Sequence, residues 1–444
     1  MTVRVAAVEP GAGVASGTEA RRGVRAFDGA MVLSVAMGLS GLLIYVFHVL
    51  AARVLGPDSY GRIAVLWAAL FVAVVVLFRP LEQTTARALA DRRSRDEGGA
   101  SVVRAAVVLA AAIVSLLVAV LALGRDAVSS ALFDGDATLT WALIAGIVVY
   151  AGVYVVRGVT SGMRWFSGYG ALLLADAVAR VALALPLLVV ASEGVAAVAM
   201  VGAGVVGIAV TLLAGHRRLR TLHEADEAAP FPLRSATRFA GPASVIAAAD
   251  QILVNGGPLL VVLSDAPGGS RAAGVVFAAT MLVRVPVFLF QGLAASLLPN
   301  FTALHASDQM GAVVRAARRA CAASVAVGAA AFTVALVAGP AMMVLVYGEE
   351  YRTGRVALAL LGAGVGSYLA AATLSQLLLA LDRGRAAAAT WAGAAALFAL
   401  AYAVIGGTAL DRIAAAFVLA ATAAAVVLGL VVARVVRDGA RGGH

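Results

Sequence analysis

Four charged side chains stand where charge is costly. Asp176 and Arg180 lie in one apolar run, Asp250 in a second and Arg284 in a third. A charge at the centre of a bilayer costs roughly 2.5–3.5 kcal/mol on insertion scales, so each needs a partner or a function. Asp176 and Arg180 are four residues apart and share a helix face. They can neutralise one another there, or Arg180 can face a central cavity. Asp250 and Arg284 fall near the middle of successive apolar runs, at similar depth. They can form a buried ion pair or line a cavity. "ILVNGGPLLVV" sets Asn255, Gly256, Gly257 and Pro258 inside an apolar helix, and "MLVRVPVFLFQGL" sets Pro286 two residues after Arg284, with Gln291 beyond. Proline removes a backbone hydrogen bond and kinks a helix. Broken helices at mid-membrane commonly line a site, although glycine and proline are in any case more frequent in membrane helices.

Other polar residues offer less. His48 and Arg53 sit at one end of the first apolar run, and Arg79 and Glu82, three apart, are placed to pair at the end of the second. Gln376 reads as interhelical glue. Five scattered histidines, at 48, 216, 223, 305 and 444, give no legible metal site, and no catalytic Ser/His/Asp spacing is present. The expectation is a protein that is not an enzyme and needs no cofactor or metal.

The elements that must position these residues follow from composition. The 444-residue chain is 62% hydrophobic and 13% charged, against about 25% charged in a soluble domain. Apolar runs of about 20 residues recur along it and read as transmembrane helices. The expected spans are 30–52, 62–79, 103–124, 139–158, 169–191, 195–214, 237–263, 272–298, 320–346, 354–381, 387–405 and 413–435. All 34 basic residues are arginine. A P-loop lysine and a lysine Schiff base are therefore excluded. The net charge of +10 does not point to nucleic acid, because the arginines sit in short loops where topology explains them. With the N-terminus inside, Arg53, Arg62, Arg125, Arg271, Arg352, Arg355 and Arg412 lie outside. Apart from Arg180 and Arg284, every other arginine lies inside. This bias predicts cytoplasmic termini and a multi-pass protein of the plasma (inner) membrane. The basic loop from Arg79 to Arg104 also suits anionic lipid headgroups. Cys321 lies alone in an apolar run and reads as a packing residue. No signal peptide is expected.

Four matches suggest an internal repeat. "VVRAA" at Val102 returns at Val313, and "ALG" ending at Gly124 is answered by "VAG" ending at Gly339. "LFDGD" at Leu132 is answered by "VYGEE" at Val346, and "SYG" ending at Gly61 by "RAAG" ending at Gly274. They come in one order at nearly one spacing. The expected fold is all-α, about 12 transmembrane helices in two six-helix lobes that form a parallel tandem repeat. Its expected parts are a disordered cytoplasmic arm (1–28), a first lobe (29–214), a cytoplasmic linker (215–236), a second lobe (237–436) and a cytoplasmic tail (437–444). Transporters built on repeats place their site between the halves.

Two segments carry a resemblance to a known family. "RVLGPDSYGRIAVL" (Arg53–Leu66) resembles the first outer turn of polysaccharide (O-antigen-type) flippases, which belong to the multidrug/oligosaccharidyl-lipid/polysaccharide exporter superfamily. "AAGVVFAATMLVRVPVFLFQGLAASLLPNFTAL" (Ala272–Leu304) is similar to their eighth span. The resemblance implies alternating access that carries a lipid-linked oligosaccharide diphosphate across the membrane for cell-surface polysaccharide synthesis. It implies Arg284 as the phosphate contact, on motif context. Arg180 joins it by depth, with Asn255 and Gln291 beside the breaks. Asp250 and Asp176 are the carboxylates for a coupling cation, a proton or sodium ion. The expected partners are the lipid-linked oligosaccharide, membrane lipids and such a cation. A drug or cation antiporter and a lipid II flippase of the same superfamily remain open. A membrane glycosyltransferase or polymerase is disfavoured, because no large outer loop is present to hold an acceptor.

Overall fold

The computed structural model describes residues 13–95, 97–220, 222, 233–264, 269–285, 301 and 310–442. Every regular element among them is helical. Helix α1 (Gly13–Ser94) is bent at Gly56, whose φ of 72° is left-handed and favours glycine. Then follow α2 (Ala100–Leu123), α3 (Arg125–Leu132), α4 (Ala137–Gly162), α5 (Phe166–Ala184) and α6 (Glu193–Arg220). The second half holds α7 (Leu233–Asn255), α8 (Gly257–Leu263), α9 (Gly269–Val283), α10 (Met310–Tyr347), α11 (Arg355–Ala380), α12 (Gly384–Val404) and α13 (Ala409–Gly442).

Among the described residues nine helices are long and apolar enough to cross a membrane, or ten if α7 and α8, bent by 67°, form one broken span. The Gly56 bend divides α1 into two crossing arms, and α9 is a shorter apolar helix. The chain is an all-α, polytopic membrane protein. Its surface confirms the solvent: Leu116 is 67% exposed, Val108 63% and Val337 78%, as hydrocarbon-facing side chains should be. The two helices that begin with the matched "VVRAA" segments, α2 and α10, are the least enclosed of the nine, with 11% and 17% of their most apolar stretches buried.

Several boundaries differ from the sequence reading. Residues 13–28 continue α1 as helix rather than forming a disordered arm, and their Ala, Glu and Arg content suits a helix. The polar stretch after Gly56 is not a loop. Pro57 opens the second arm, where its missing N–H costs nothing, and Asp58 and Ser59 follow in the first turn. Helix α6 runs on to Arg220 and α7 begins at Leu233, so both extend into the expected linker. Helix α13 likewise continues into the expected tail.

The two lobes meet where α1 packs against α7, α8 and α9. At the end of the bundle marked by Gly56, the approach is backbone to backbone. A Cβ on Gly61 would lie 1.7 Å from the Ser270 carbonyl oxygen, and one on Gly274 would lie 2.3 Å from that of Pro57. The pair matched as a repeat in sequence is thus a contact in space. Gly61→Ala should lower thermal stability in detergent by about 1–3 kcal/mol, because backbone must shift. Gly38→Ala, with nothing within 4 Å of its Cβ, should not. Equal melting temperatures for the two variants would contradict this packing.

Candidate functional site

The first-lobe arginine is held from three elements. One helical turn on α5 separates Asp176 from Arg180, and the Arg180 guanidinium donates to Asp176 Oδ2 at 2.6 Å. It also donates to the Tyr150 hydroxyl of α4, which in turn donates to Asp176 Oδ1 at 2.9 Å. Trp67 and Phe71, one turn apart on the second arm of α1, present ring faces 5.0 and 6.0 Å from the guanidinium carbon. Such cation–π contact is strongest when desolvated, and Arg180 is 1% exposed. Its Nε and Nη1 still have no hydrogen-bond partner among the described residues. Buried donors of a charged group are rarely left so, because the cost is several-fold that of a neutral one.

The second-lobe arginine ends a helix. Arg284 follows the last residue of α9 and is buried. Its Nη1 donates to Asn255 Oδ1 at 3.4 Å, and Nη2 has no partner among the described residues. Asn255 is the last residue of α7, placed there by the break at Gly256–Pro258, since Pro258 has no N–H to continue the ladder. Its Nδ2 donates to Gln251 Oε1 at 2.7 Å, and Gln251 Nε2 donates to Asp250 Oδ2 at 3.3 Å. The Tyr368 hydroxyl of α11 donates to Asp250 Oδ1 at 2.5 Å. A relay of neutral groups therefore separates Asp250 from Arg284, and no ion pair joins them among the described residues. The paired alternative fails because Asn255 and Gln251, one turn apart, stand between them.

An aromatic seam connects the lobes. His48, fully buried on the first arm of α1, stacks edge-on against Trp67 at 4.5 Å and Phe277 of α9 at 5.0 Å. The Tyr60 hydroxyl lies 3.3 Å from its Nδ1. Trp67 thus touches Arg180 on one side and His48 on the other, while Phe277 stands two helical turns before Arg284 on one helix. Of the residues named from the sequence, the structure brings Arg284 to Asn255 and Arg180 to Asp176. Gln291 lies outside the described residues. Sequence reasoning missed Tyr150, Tyr368, Gln251, Trp67, Phe277 and the burial of His48. The one signal for Tyr150, Tyr368, Trp67 and Phe277 was rarity, since Phe, Trp and Tyr make up 6% of the chain.

Two further networks frame this site. Glu82 pairs with Arg157 of α4 at 3.3 Å rather than with Arg79, and Tyr169 bridges the two at 2.8 and 3.0 Å. At the Gly56 end, polar contacts cross between lobes. Arg53 Nε donates to the Val346 carbonyl at 2.6 Å, and Tyr351 donates to that of Ala52 at 3.1 Å. Arg271 pairs with Asp58 at 2.9 Å, and Ser270 donates to Asp134 at 2.6 Å. Asp134 also meets Arg62, which is held in turn by Glu193. Among the described residues, the two lobes are thus in polar contact at the Gly56 end. Among the described residues no group of three His, Cys, Asp or Glu could hold a metal ion.

No protein-family model matches the chain. It is 28% identical over 391 residues to an uncharacterized protein of Mycobacterium bovis, covering 86% of this chain and 85% of that one. An uncharacterized protein of Mycobacterium tuberculosis is 26% identical over 368 residues, covering 80% and 79%. Among solved structures, the inward-facing conformation of a multidrug resistance MATE family transporter of the MOP superfamily aligns with a TM-score of 0.72 at 15% identity. It covers 92% of this chain and 98% of its own. The outward-facing conformation of such a transporter aligns at 0.63, also at 15% identity, covering 92% and 96%. At these identities the likeness shows the fold, two lobes of a MATE-like bundle.

The first-lobe cluster yields a stability test. Asp176→Asn leaves Arg180 buried without a counter-charge and should cost about 3–5 kcal/mol. Tyr150→Phe removes only a bridging hydroxyl and should cost about 1–3 kcal/mol. Thermal unfolding in detergent checks both. An Asp176→Asn variant as stable as wild type would show that the pair does not hold the lobe.

Proposed function

We propose that this protein is an alternating-access transporter that moves a lipid-linked oligosaccharide diphosphate across the plasma membrane for cell-surface polysaccharide assembly. One observation carries the reading. Each lobe buries one arginine with guanidinium N–H groups left unpartnered among the described residues, Arg180 Nε and Nη1 and Arg284 Nη2. The aromatic seam joins the two surroundings. Arginine's planar fork suits phosphate oxygens, and two such forks suit a diphosphate. A cationic drug would meet repulsion at the same place. Asn255, the partner of Arg284, completes the proposed polar lining.

The polar contact of the lobes at the Gly56 end supports the cycle. Arginine bias makes it the outer side, and the greater likeness to an inward-facing than to an outward-facing transporter agrees with closure there. On this reading both termini are cytoplasmic. Cargo enters from inside, and outward release requires the contacts of Arg53, Asp58, Asp134 and Tyr351 to part. Asp176 is engaged by Arg180 and Tyr150. The coupling role therefore falls to Asp250, whose hydrogen-bond partners Tyr368 and Gln251 are neutral. The chain has no lysine for a P-loop, so an ion gradient or the membrane potential supplies the energy.

In reconstituted vesicles, Arg284→Ala should reduce translocation of a lipid-linked oligosaccharide diphosphate at least about tenfold, the loss of one charge-assisted contact. Arg284→Lys should restore little, because the bidentate geometry is gone. Wild-type translocation by Arg284→Ala would remove Arg284 as the phosphate contact. Should the protein instead export organic cations in a manner abolished by Asp250→Asn, the drug antiporter reading would replace this one. Labelling of Glu350→Cys by an impermeant thiol reagent should occur from outside intact cells. Labelling only after permeabilisation would invert the topology.

A further inference from the structure

A second site lies away from the lobe interface. An apolar groove of about 710 Å³ runs between α2, α4 and α6. It is within the size range of small-molecule pockets. Its floor is small, with Ala110, Ala111, Ala151 and Gly152, and Val155 and Ile208 form its walls. Two threonines line it, but their hydroxyls are folded back onto their own helices. Thr160 donates to the Val156 carbonyl and Thr211 to that of Gly207, so neither offers a polar contact. The groove opens sideways, toward the hydrocarbon, since Val107 and Val148 on its rim are 49% and 46% exposed. No residue of α1 or of the second lobe lines it, so it is separate from the seam of Arg180 and Arg284.

The groove is polarised along its length. One mouth carries Arg104 and Trp165, and the Arg218 guanidinium lies 5.5 Å from the Trp165 ring centroid. Toward the other end, at Ser115 and Val148, its lining carries no charge. Along α2 the distance from Arg104 to Ser115 is about 16 Å at 1.5 Å per residue. That is half of the roughly 30 Å hydrocarbon core, the depth of one leaflet. Cation and indole at headgroup level with an apolar slot one leaflet deep describe a phospholipid in its membrane orientation.

We propose that this groove is a binding site for one acyl chain of an anionic phospholipid, with its phosphate at Arg104 and Arg218. A carrier lipid that must cross between leaflets would need an opening onto the seam, which the groove lacks. Occupation would brace α2, the least enclosed helix of the first lobe, against α4 and α6.

Native mass spectrometry of the purified full chain tests this, with phosphatidylglycerol and phosphatidylcholine of the same chain length as probes. One phosphatidylglycerol should bind about 25-fold more tightly than phosphatidylcholine, given two arginines at the headgroup. Arg104→Gln, on an exposed position, should reduce that preference about fivefold. Ala111→Trp and Val107→Trp each plug the groove from its lipid side and should abolish the tight site. Two plugs are used so that poor folding of one leaves the other to decide. Equal affinity for the two lipids, or tight phosphatidylglycerol binding unchanged in a folded plug variant, would overturn the proposal. So would displacement of phosphatidylglycerol by a polyprenyl phosphate at equimolar concentration, which would assign the groove to the carrier's tail.

Discussion

A guanidinium surrounded by hydrocarbon must find its partners inside the protein. That constraint organises both lobes. Arg180 is met by a carboxylate one turn away, a hydroxyl from the next helix and two aromatic faces from α1. Arg284 is met by Asn255, and that contact exists because α7 stops at Gly256. In each case helices that would otherwise pack through Ala and Val are tied by a specific polar contact. Each arginine nevertheless retains unpartnered N–H groups among the described residues. Among the described residues satisfaction is partial in both halves, and the proposed cargo would complete it.

The same residues link the site to the shape of the molecule. Trp67 touches Arg180 and His48, and His48 touches Phe277 of the opposite lobe. A change at Arg180 therefore bears on the surface along which the lobes meet. Closer to the Gly56 end that surface becomes polar and tight, with Gly61 against Ser270 and Arg53 on the carbonyl of Val346. Backbone contacts without intervening side chains are either made or lost. They suit a two-state closure better than a graded one.

What the chain revealed in one dimension was whatever repeats locally. Asp176 and Arg180 were legible as a pair because four residues make one turn. The break at Asn255–Pro258 was legible because proline lacks an N–H, and the span pattern followed from hydropathy. The chain's reversal near Gly56 followed from the limits of the first two spans, but residues 53–61, left between those spans as an outer turn, are helical apart from Gly56. Asp58, Ser59 and Tyr60 begin a helix, and their polarity serves contacts to Arg271 and His48. Partners distant in sequence stayed hidden. Nothing local indicates that Glu82 pairs with Arg157 rather than Arg79, or that Asp134 meets Ser270 across the lobes. Tyr150 and Tyr368 were missed for the same reason. Each is an unremarked residue until its helix is packed against the carboxylate it serves.

The central claim is that the two buried arginines hold one dianionic group together. Affinity of the purified protein for a polyprenyl diphosphate in detergent, at fixed ionic strength, tests it most directly. Wild type, Arg180→Gln, Arg284→Gln and the double variant would be compared by microscale thermophoresis, a double-mutant cycle. Each single variant should weaken binding about tenfold or more, with the double variant losing less than the product because both contacts serve one ligand. Unchanged affinity in the double variant would contradict the account.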